Sequence, residues 1–360
     1  MRVTLEDVCE KGASNLKQSD VVSMTGEYPI YGAAGYLGNV DFYHQEKPYV
    51  AIVKDGAGIG RTTLHPAKSS VIGTMQYLLP KDNVLPEYLY YVVRHMHLEK
   101  YFTGATIPHI YFRDYKNEKF NLDSLDKQAK IVEILGNAEL VILKRRQQLA
   151  ELDKLIKARF VEMFGDPNDN PKGYSKKQLK DTCRVITGNT PSRAVSEYYG
   201  EHIEWIKTDN IVSGLLNPTT ATESLSEKGM AVSRTVESGA ILMVCIAGSI
   251  ASIGRVCVTD RKVSFNQQIN AIVPSDYNIL FLYVMLQISK EYLVDEINMA
   301  LKGILSKSKL EEKTFYVPPI ELQEQFAAFV EQVDKSKVAV QKALDEAQLL
   351  FDSLMQKYFG

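Results

Sequence analysis

The chain has 360 residues, of which 45% are hydrophobic and 24% are charged. This length predicts two or three domains, because one core rarely grows past about 250–300 residues, and the apolar fraction excludes a disordered chain. The 42 basic and 44 acidic residues exclude a generally cationic nucleic-acid binder, but not a local basic surface.

The front of the chain carries β-branched and aromatic runs separated by Gly, Asn, Ser and Pro, which predicts mixed β-structure with short helices. Tyr49–Val53 and Val71–Ile72 are predicted strands, and Pro86–Met96 is a predicted helix. The glycines of Asp55–Gly60 resemble a nucleotide-binding loop, but a strand or turn follows them instead of a helix. We therefore expect a hairpin in which Gly60 has a positive φ.

A long helix follows this part of the chain. Apolar residues recur at alternating steps of about four and three from Ile131 to Met163, which is typical of a coiled coil. Arg145 interrupts this seam and is interpreted as a register-setting polar position. At 1.5 Å per residue, a helix of about 38 residues is about 57 Å long.

The second half of the chain repeats the first at a shift of about 195 residues. Gly58–Arg61 recurs as Ser252–Arg255, and Leu125–Gln128 recurs as Ile320–Gln323. The starts of the halves match at a smaller shift, which predicts about 20 extra residues in the second half around 187–204. Gly254 is expected to repeat the positive φ of Gly60.

The repeat includes a second long helix, with a seam from Phe326 to Tyr358 that Lys337 interrupts. Two helices of equal length most simply pack together, either parallel or antiparallel, and the equal spacing of the repeat favours a pseudo-two-fold arrangement. The predicted fold class is α+β: two mixed α/β domains separated by two long helices that form an antiparallel coiled coil. The predicted boundaries are 1–124, 125–165, 166–319 and 320–360.

Motifs for catalysis or metal binding are lacking in the sequence. There is no Walker lysine motif, Val-Pro-Pro-Ile does not match the amino-methyltransferase motif, and the six histidines form no HExxH. The four cysteines are far apart, which predicts reduced thiols in a cytoplasmic protein and no zinc site. We expect no active site and no metal site in this chain, although a triad assembled in space stays open.

Several ordered segments of this sequence resemble the specificity subunits of type I restriction–modification systems. These segments are Met163–Tyr174, Leu179–Cys183, Ile186–Ser192, Trp205–Ile211, Ile253–Arg255 and Pro318–Gln323. The resemblance covers both halves of the chain. The first half lacks the Thr-Pro-Ser and Trp-Ile segments and has Glu27–Gly32 instead, which suggests that the two domains read different DNA sequences.

The resemblance implies two target-recognition domains, 1–124 and 166–319, that together read a bipartite, asymmetric site in double-stranded DNA. It implies that the helices space the domains and dock two methyltransferase (modification) subunits, and that two restriction (motor-nuclease) subunits complete the enzyme. S-adenosylmethionine, ATP and Mg are then expected to bind to the partner subunits. This chain is expected to bind no cofactor, to be non-catalytic and not to associate with a membrane. The alternatives are a coiled-coil adaptor, an orphan DNA-binding protein without functional partners, and a self-sufficient DNA enzyme.

Polar loops between the strands hold the residues that we expect to contact DNA. In the first domain they are Tyr31, Lys54, Thr74, Gln76, His109 and Arg113. In the second domain they are Asn189, Thr190, Ser192, Arg193, Lys207, Asn210, Asn266, Gln267 and Gln268, and a basic loop with Lys302, Lys307 and Lys309 is expected to contact phosphate. For each of them the alternative is a solvated loop residue or a hairpin stabiliser.

Charge is nearly balanced within each predicted recognition domain. Segment 1–125 has 13 basic and 14 acidic residues, and segment 167–318 has 17 and 16. We therefore expect weak DNA binding by this chain alone, with affinity supplied jointly by partner subunits.

Overall fold

The computed structural model describes residues 1–56, 58–104, 108–295, 297 and 303–360. They form two compact units, one made of Met1–Arg145 with Ala343–Gly360 and the other of Arg146–Lys342. Each unit combines a mixed α/β domain with a stretch of both long helices, α5 (Leu125–Phe164) and α11 (Ile320–Phe359). The α+β fold class and the two long helices predicted from the sequence are confirmed.

The first unit begins with strands and short helices in alternation. Its strands are β1 (Arg2–Thr4), β2 (Cys9–Ala13), β3 (Tyr28–Gly32), β4 (Gly35–Val40), β5 (Tyr49–Val53), β6 (Thr62–His65), β7 (Ser70–Val71), β8 (Met75–Pro80) and β9 (Lys119–Asn121). Its short helices are α1 (Leu5–Val8), α2 (Gln18–Val21), α3 (Pro86–His95) and α4 (Phe112–Tyr115), with a 3-10 turn at Leu98–Tyr101.

The second unit follows the same plan with additional elements. Its strands are β10 (Lys176–Gln178), β11 (Cys183–Thr187), β12 (Tyr199–Ile206), β13 (Ser224–Leu225), β14 (Thr235–Val236), β15 (Ile241–Val244), β16 (Ile246–Ala247), β17 (Val256–Val258), β18 (Val263–Phe265), β19 (Ile269–Pro274), β20 (Gly303–Ile304) and β21 (Thr314–Tyr316). Its short helices are α6 (Leu179–Thr182), α7 (Glu227–Val232), α8 (Ile279–Ile288), α9 (Lys290–Val294) and α10 (Lys307–Glu312), with 3-10 turns at Ser196–Tyr198 and Thr208–Asn210.

The two domains have matching sheets, which confirms the predicted repeat. The strand order is β2-β8-β5-β6 in the first domain and β11-β19-β15-β17 in the second, and both sheets are antiparallel. In a neighbouring sheet, β3 pairs antiparallel with β4 and parallel with β7. In the same way, β12 pairs antiparallel with β13 and parallel with β18.

This parallel pairing shows what replaces the Trp-Ile segment in the first domain. Ile30–Tyr31 lies opposite Ser70–Val71, as Trp205–Ile206 lies opposite Ser264–Phe265. The two segments therefore occupy the same place in the topology, although their residues differ.

The central strand of each main sheet is buried on both faces because its apolar residues run without interruption. In β5 the odd and even positions belong to separate hydrophobic clusters, with Tyr49 in one cluster and Val50 in the other. In β15 the same alternation divides Ile241 from Leu242. Each sheet thus separates a core that includes the long helices from a second core, as the two-residue period of a strand requires.

In the first unit, the two long helices pack antiparallel against α3. Leu85, at the N-terminal cap of α3, and Tyr91, within α3, contact Gln128 and Glu139 of α5 in ascending order. Along the same helix, the rings of Tyr88 and Tyr91 lie 5.4 and 6.3 Å from those of Phe359 and Phe351 of α11, in descending order.

The second unit shows the same antiparallel pairing. The rings of Phe160 and Phe164 on α5 lie 5.4 and 5.6 Å from that of Phe326 on α11. Further along, the ammonium of Lys337 is 2.7 Å from a carboxylate oxygen of Asp153. The polar seam position at Lys337 therefore pairs with an acidic residue of the facing helix, which fits its expected register-setting role. Among the helices that the structure describes, none is both long and apolar enough to cross a membrane.

Candidate nucleic-acid interface

A cleft of about 280 Å³ in the first domain brings together four of the residues predicted to contact DNA. They are Lys54, Gln76, His109 and Arg113. The cleft is formed by β2, the end of β5, the start of β8 and the segment 109–113. We call it the first-domain cleft.

The hairpin between β5 and β6 places Lys54 at this cleft. Gly60 has a φ of 81°, as predicted, and its amide donates to the carbonyl of Val53 at 2.9 Å. The amide of Lys54 then donates to Thr74 at 3.0 Å, and its carbonyl accepts from Ile110 at 3.0 Å. Three chain segments therefore meet at Lys54 through main-chain hydrogen bonds, which do not depend on its side chain.

One wall of the cleft is a column of planar groups. The ring of His109 lies 4.1 Å from that of Tyr111 and is tilted by 55° to it, and the guanidinium of Arg113 lies 4.7 Å over the same tyrosine. Tyr111 is 43% exposed, and the Arg113 side chain is 76% exposed. His109 also contacts the carboxylate of Asp55 through Nδ1. Exposed aromatic and guanidinium planes of this kind are surfaces on which nucleobases stack.

The floor of the cleft is polar and recessed. The side chain of Gln76 is only 5% exposed, and its Nε2 donates to the carbonyl of Gly12 at 3.1 Å. The main chain of Gly12 can lie this close to β8 because glycine has no side chain. A Cβ atom at position 12 would lie 2.9 Å from the Cβ of Tyr77. Beside the floor, the hydroxyl of Thr74 is buried and has no hydrogen-bond partner within the described part of the chain.

Among the cleft residues that were not predicted from the sequence, Lys11 and Tyr111 are the two whose side chains suit contact with DNA. His109 and Tyr111 lie two positions apart on an extended segment, and such positions point to the same side of the chain. That alternation was the available signal for Tyr111. Lys11 could not be found in this way, because only the pairing of β2 with β8 brings it near Gln76.

Tyr31, also predicted, lies outside the first-domain cleft. It is half-buried, with its ring 4.4 Å from that of His65 and 6.0 Å from that of Tyr36. Arg61, at the end of the β5–β6 hairpin, donates to the carbonyl of Ala33.

In the second domain, Arg193 and Lys207 share one acidic partner. The guanidinium of Arg193 is 2.6 Å from the carboxylate of Glu223, and Lys207 pairs with the same carboxylate. The hydrogen bond from Lys207, together with Arg193, holds the pKa of Glu223 below its ordinary value. Both cations also lie over the buried Trp205 ring, at 5.1 and 5.2 Å. Trp205 is a core residue with two cations at its face.

Other predicted residues of the second domain hold loops in place. Asn210 is buried, accepts from the amide of Lys207 at 3.0 Å and donates to Thr220 at 3.1 Å. Asn266 is buried and accepts from the amide of Gln268 at 3.1 Å. Asn189 accepts from the amide of Arg234 at 2.8 Å.

The remaining predicted residues of this domain lie at the surface. Thr190 and Gln267 are exposed and hydrogen-bonded to each other, and Ser192 is exposed. Lys302 lies outside the described residues. Lys307 and Lys309 are in the short helix α10, so the prediction of a loop was wrong at these two positions. The hydroxyl of Ser306 caps this helix by accepting from the amide of Lys309, which explains why Ser-Lys-Ser-Lys is helical here.

A search of the described residues finds no group of three or more His, Cys, Asp or Glu that could hold a metal ion. The hairpin arginine of the second domain, Arg255, donates to the carbonyl of Thr208 at 3.0 Å.

Comparison with known proteins identifies the family. The model of the type I restriction modification DNA specificity domain matches residues 1–154 and 171–347, which include both α/β domains. The chain belongs to this family. Two matches of the specificity domain in one chain agree with the repeat seen in the sheets.

Curated relatives carry the same family name. The specificity subunit of the type I restriction enzyme HindI of Haemophilus influenzae is 32% identical over 149 residues, which is 40% of this chain and 31% of that protein. The specificity subunit of the type I restriction enzyme MjaIX of Methanocaldococcus jannaschii is 25% identical over 312 residues, which is 78% of this chain and 69% of that protein.

Two solved structures share the fold. The type I restriction–modification S subunit from M. genitalium aligns with a TM-score of 0.65 at 15% identity, covering 100% of this chain and 96% of that one. A chain from a study of complex assembly and conformational transition in a type I R-M system aligns with a TM-score of 0.52 at 17% identity, covering 99% and 97%.

Proposed function

We propose that this specificity-domain protein is the DNA-reading subunit of a type I restriction–modification enzyme. The observation that carries the proposal is that the chain contains two specificity domains with one topology and different polar surfaces. A protein of this design reads two different DNA elements, one with each domain, and together they make a bipartite, asymmetric site.

The first-domain cleft is proposed as one reading surface, because its cations and planar groups suit phosphates and bases. In the second domain, the surface around Arg193, Lys207 and Gln267 is proposed as the other. Both domains are nearly neutral in charge, so we expect the chain alone to bind DNA weakly.

The partners are part of the proposal. The paired helices α5 and α11 expose apolar residues, among them Leu143, Leu155, Val338 and Leu349, which suits docking of two methyltransferase subunits. Two motor-nuclease subunits complete the enzyme. The chain itself is proposed to be non-catalytic and cytoplasmic, with S-adenosylmethionine, ATP and Mg²⁺ bound by the partners.

Methylome sequencing tests this proposal. The chain is expressed together with its modification subunits in a host without either, and the modification subunits alone serve as the control. We expect a bipartite motif to become methylated only when the chain is present. A stable complex that methylates no selective motif would instead support a coiled-coil adaptor, and DNA methylation by the purified chain without partners would support a self-sufficient enzyme.

A further inference from the structure

The shape of the first-domain cleft limits how it can read DNA. In a stacked duplex, base edges lie in a groove and are reached by side chains that protrude from the protein. Gln76 lies at the bottom of the cleft and is 95% buried, so it cannot reach such an edge. For Gln76 to contact a base, the base has to leave the stack and enter the cleft.

The wall and rim provide what a displaced base requires. The column of His109, Tyr111 and Arg113 ends in an exposed guanidinium plane on which a base can stack. Lys11 and Lys54 place positive charge at the cleft for the adjacent phosphates. The charge of Lys54 is partly compensated, because its ammonium lies 3.8 Å from a carboxylate oxygen of Asp55. The volume of about 280 Å³ is near the lower end of small-ligand sites, about 300 Å³, and suits one base better than a longer ligand.

The chemistry at the floor suits the edge of a base that has left the stack. Within the described residues, the Gln76 amide makes one hydrogen bond, from Nε2 to Gly12, which leaves one N–H donor and the Oε1 acceptor. The Watson–Crick edge of each of the four bases presents a donor beside an acceptor, so this pair can bind a displaced base without selecting its type.

We infer that the first-domain cleft holds a single base displaced from the duplex, stacked on the Tyr111–Arg113 column and hydrogen-bonded at its edge by Gln76. This inference rests on the proposed DNA-reading function. The second domain offers no equivalent at the matching positions: Cys245 stands where the first domain has Lys54, and Ile304 stands where it has His109.

Binding to duplexes with an abasic residue in the opposite strand, placed one position at a time, tests the inference. Removing the opposite base removes the cost of unpairing, so binding tightens at a position where the base is displaced. We expect the complex with modification subunits to bind at least about tenfold more tightly at one position of the half-site read by the first domain. This position differs from that of the adenine that becomes methylated. Methylome sequencing identifies the methylated adenine independently.

Variants of the cleft wall test whether the gain in affinity depends on Tyr111 and Arg113. Tyr111→Ala and Arg113→Gln are expected to abolish the gain at the additional position and to leave the gain at the methylated adenine unchanged. Tyr36→Ala is the matched control, because Tyr36 is a 62% exposed tyrosine of the same domain outside the cleft. It should retain both gains.

The failures are distinguishable. If selective bipartite binding is present but no additional position tightens, no base is displaced in this half-site and the proposed function stands. If the gain survives both wall variants, the displaced base is not held in the first-domain cleft, and the proposed function again stands. If no sequence-selective binding occurs at all, the proposed function fails together with the inference.

Discussion

At the end of the central strand, the two domains keep the same main-chain hydrogen bonds and place different side chains. The amide of the hairpin glycine donates to Val53 in the first domain at 2.9 Å and to Val244 in the second at 2.8 Å. The next residue is Lys54 at the first-domain cleft, but Cys245, which is buried, in the second. The carbonyls of these two residues accept from Ile110 and Leu305, at 3.0 and 2.8 Å.

This comparison teaches how one fold can read different DNA sequences. The frame at this point is made by main-chain groups, which every residue type carries, so substitution of the side chain leaves the frame intact. In the first domain the side chain of Lys54 lines a cleft that is open to solvent. In the second domain the side chain of Cys245 is buried at the same position. The following predictions test how far the two domains have diverged within a shared frame.

The largest effect is expected from exchanging the residues at this position. Burial raises the pKa of the Cys245 thiol to about 12, so it is neutral, and Asn270 donates to its sulfur at 3.3 Å. Cys245→Lys would place an uncompensated charge in the core and should lower the free energy of unfolding of the second unit by about 3–5 kcal/mol. Urea denaturation followed by hydrogen exchange measures it.

The reciprocal variant is the control for this exchange. Lys54→Cys lies at the edge of a cleft and should change the stability of the first unit by less than about 1 kcal/mol. Equal losses from the two variants would mean that the environments at the two positions have not diverged.

The next effect compares two buried glutamines at the starts of the long helices. Gln128 accepts from the amide of Leu85 at 2.9 Å and donates to the carbonyls of Asn83 and Asp123 at 3.0 and 2.8 Å. Gln323 accepts from the amide of Asn278 at 2.9 Å and donates to Pro318 at 2.8 Å. The two glutamines make equivalent contacts in the two copies of the repeat. Each one connects a long helix to the N-terminal end of a short helix by hydrogen bonds.

Alanine at either position should destabilise its own unit by about 2–4 kcal/mol, because it leaves a buried amide and one or two carbonyls unpaired. Gln128→Ala should cost about 1 kcal/mol more than Gln323→Ala, since it breaks one further bond. Hydrogen exchange of each unit gives the measurement. If a variant lowered the stability of only the other unit, the glutamine would act at a distance through the long helices. That outcome would contradict the local role assigned to it.

A smaller effect is expected at the paired cations of the second domain. Glu223→Gln removes the charge that holds Arg193 and Lys207, so both become available to DNA phosphates. We expect non-selective DNA affinity to rise several-fold and the dependence of log affinity on log salt to steepen by about 1–2. Glu197→Gln, at an exposed pair with Lys228, is the control and should change neither. A fall in affinity would indicate that Glu223 itself positions the loop for binding.

Hydrophobic periodicity explains which parts of the fold the sequence predicted. The heptad seams predicted α5 and α11, and the apolar runs predicted β5 and α3, because these elements bury a repeating face. The positive φ at Gly60 and Gly254 was also predicted, at 81° and 78°, since the hairpin requires it.

The candidate site was predicted only in part, because residue type does not determine burial. Asn210 and Asn266 have the polarity of a DNA contact, yet both are buried and hold main-chain groups. The extra residues of the second domain were expected around 187–204, whereas α7 and β14 lie beyond that window. Lys11 meets the cleft through strand pairing, which no local pattern in the sequence reveals.

The smallest effect is expected from the charge of a single lysine at the first-domain cleft. Lys54→Met keeps an unbranched side chain only one atom shorter than lysine and the main-chain hydrogen bonds of residue 54, and it removes one positive charge from the rim. If Lys54 contacts one phosphate, affinity should fall about equally for all DNA sequences, and the salt dependence should become shallower by about 1. Titration of the assembled methyltransferase with DNA at several salt concentrations measures both quantities.

Lys47→Met in the same domain is the control, because Lys47 is exposed and outside the cleft. A change in sequence preference from Lys54→Met, without a change in salt dependence, would mean that Lys54 reads a base instead of a phosphate. The first domain would then place a base reader at the position where the second has a buried cysteine. The divergence between the domains at this position would concern sequence reading itself and not only the strength of binding.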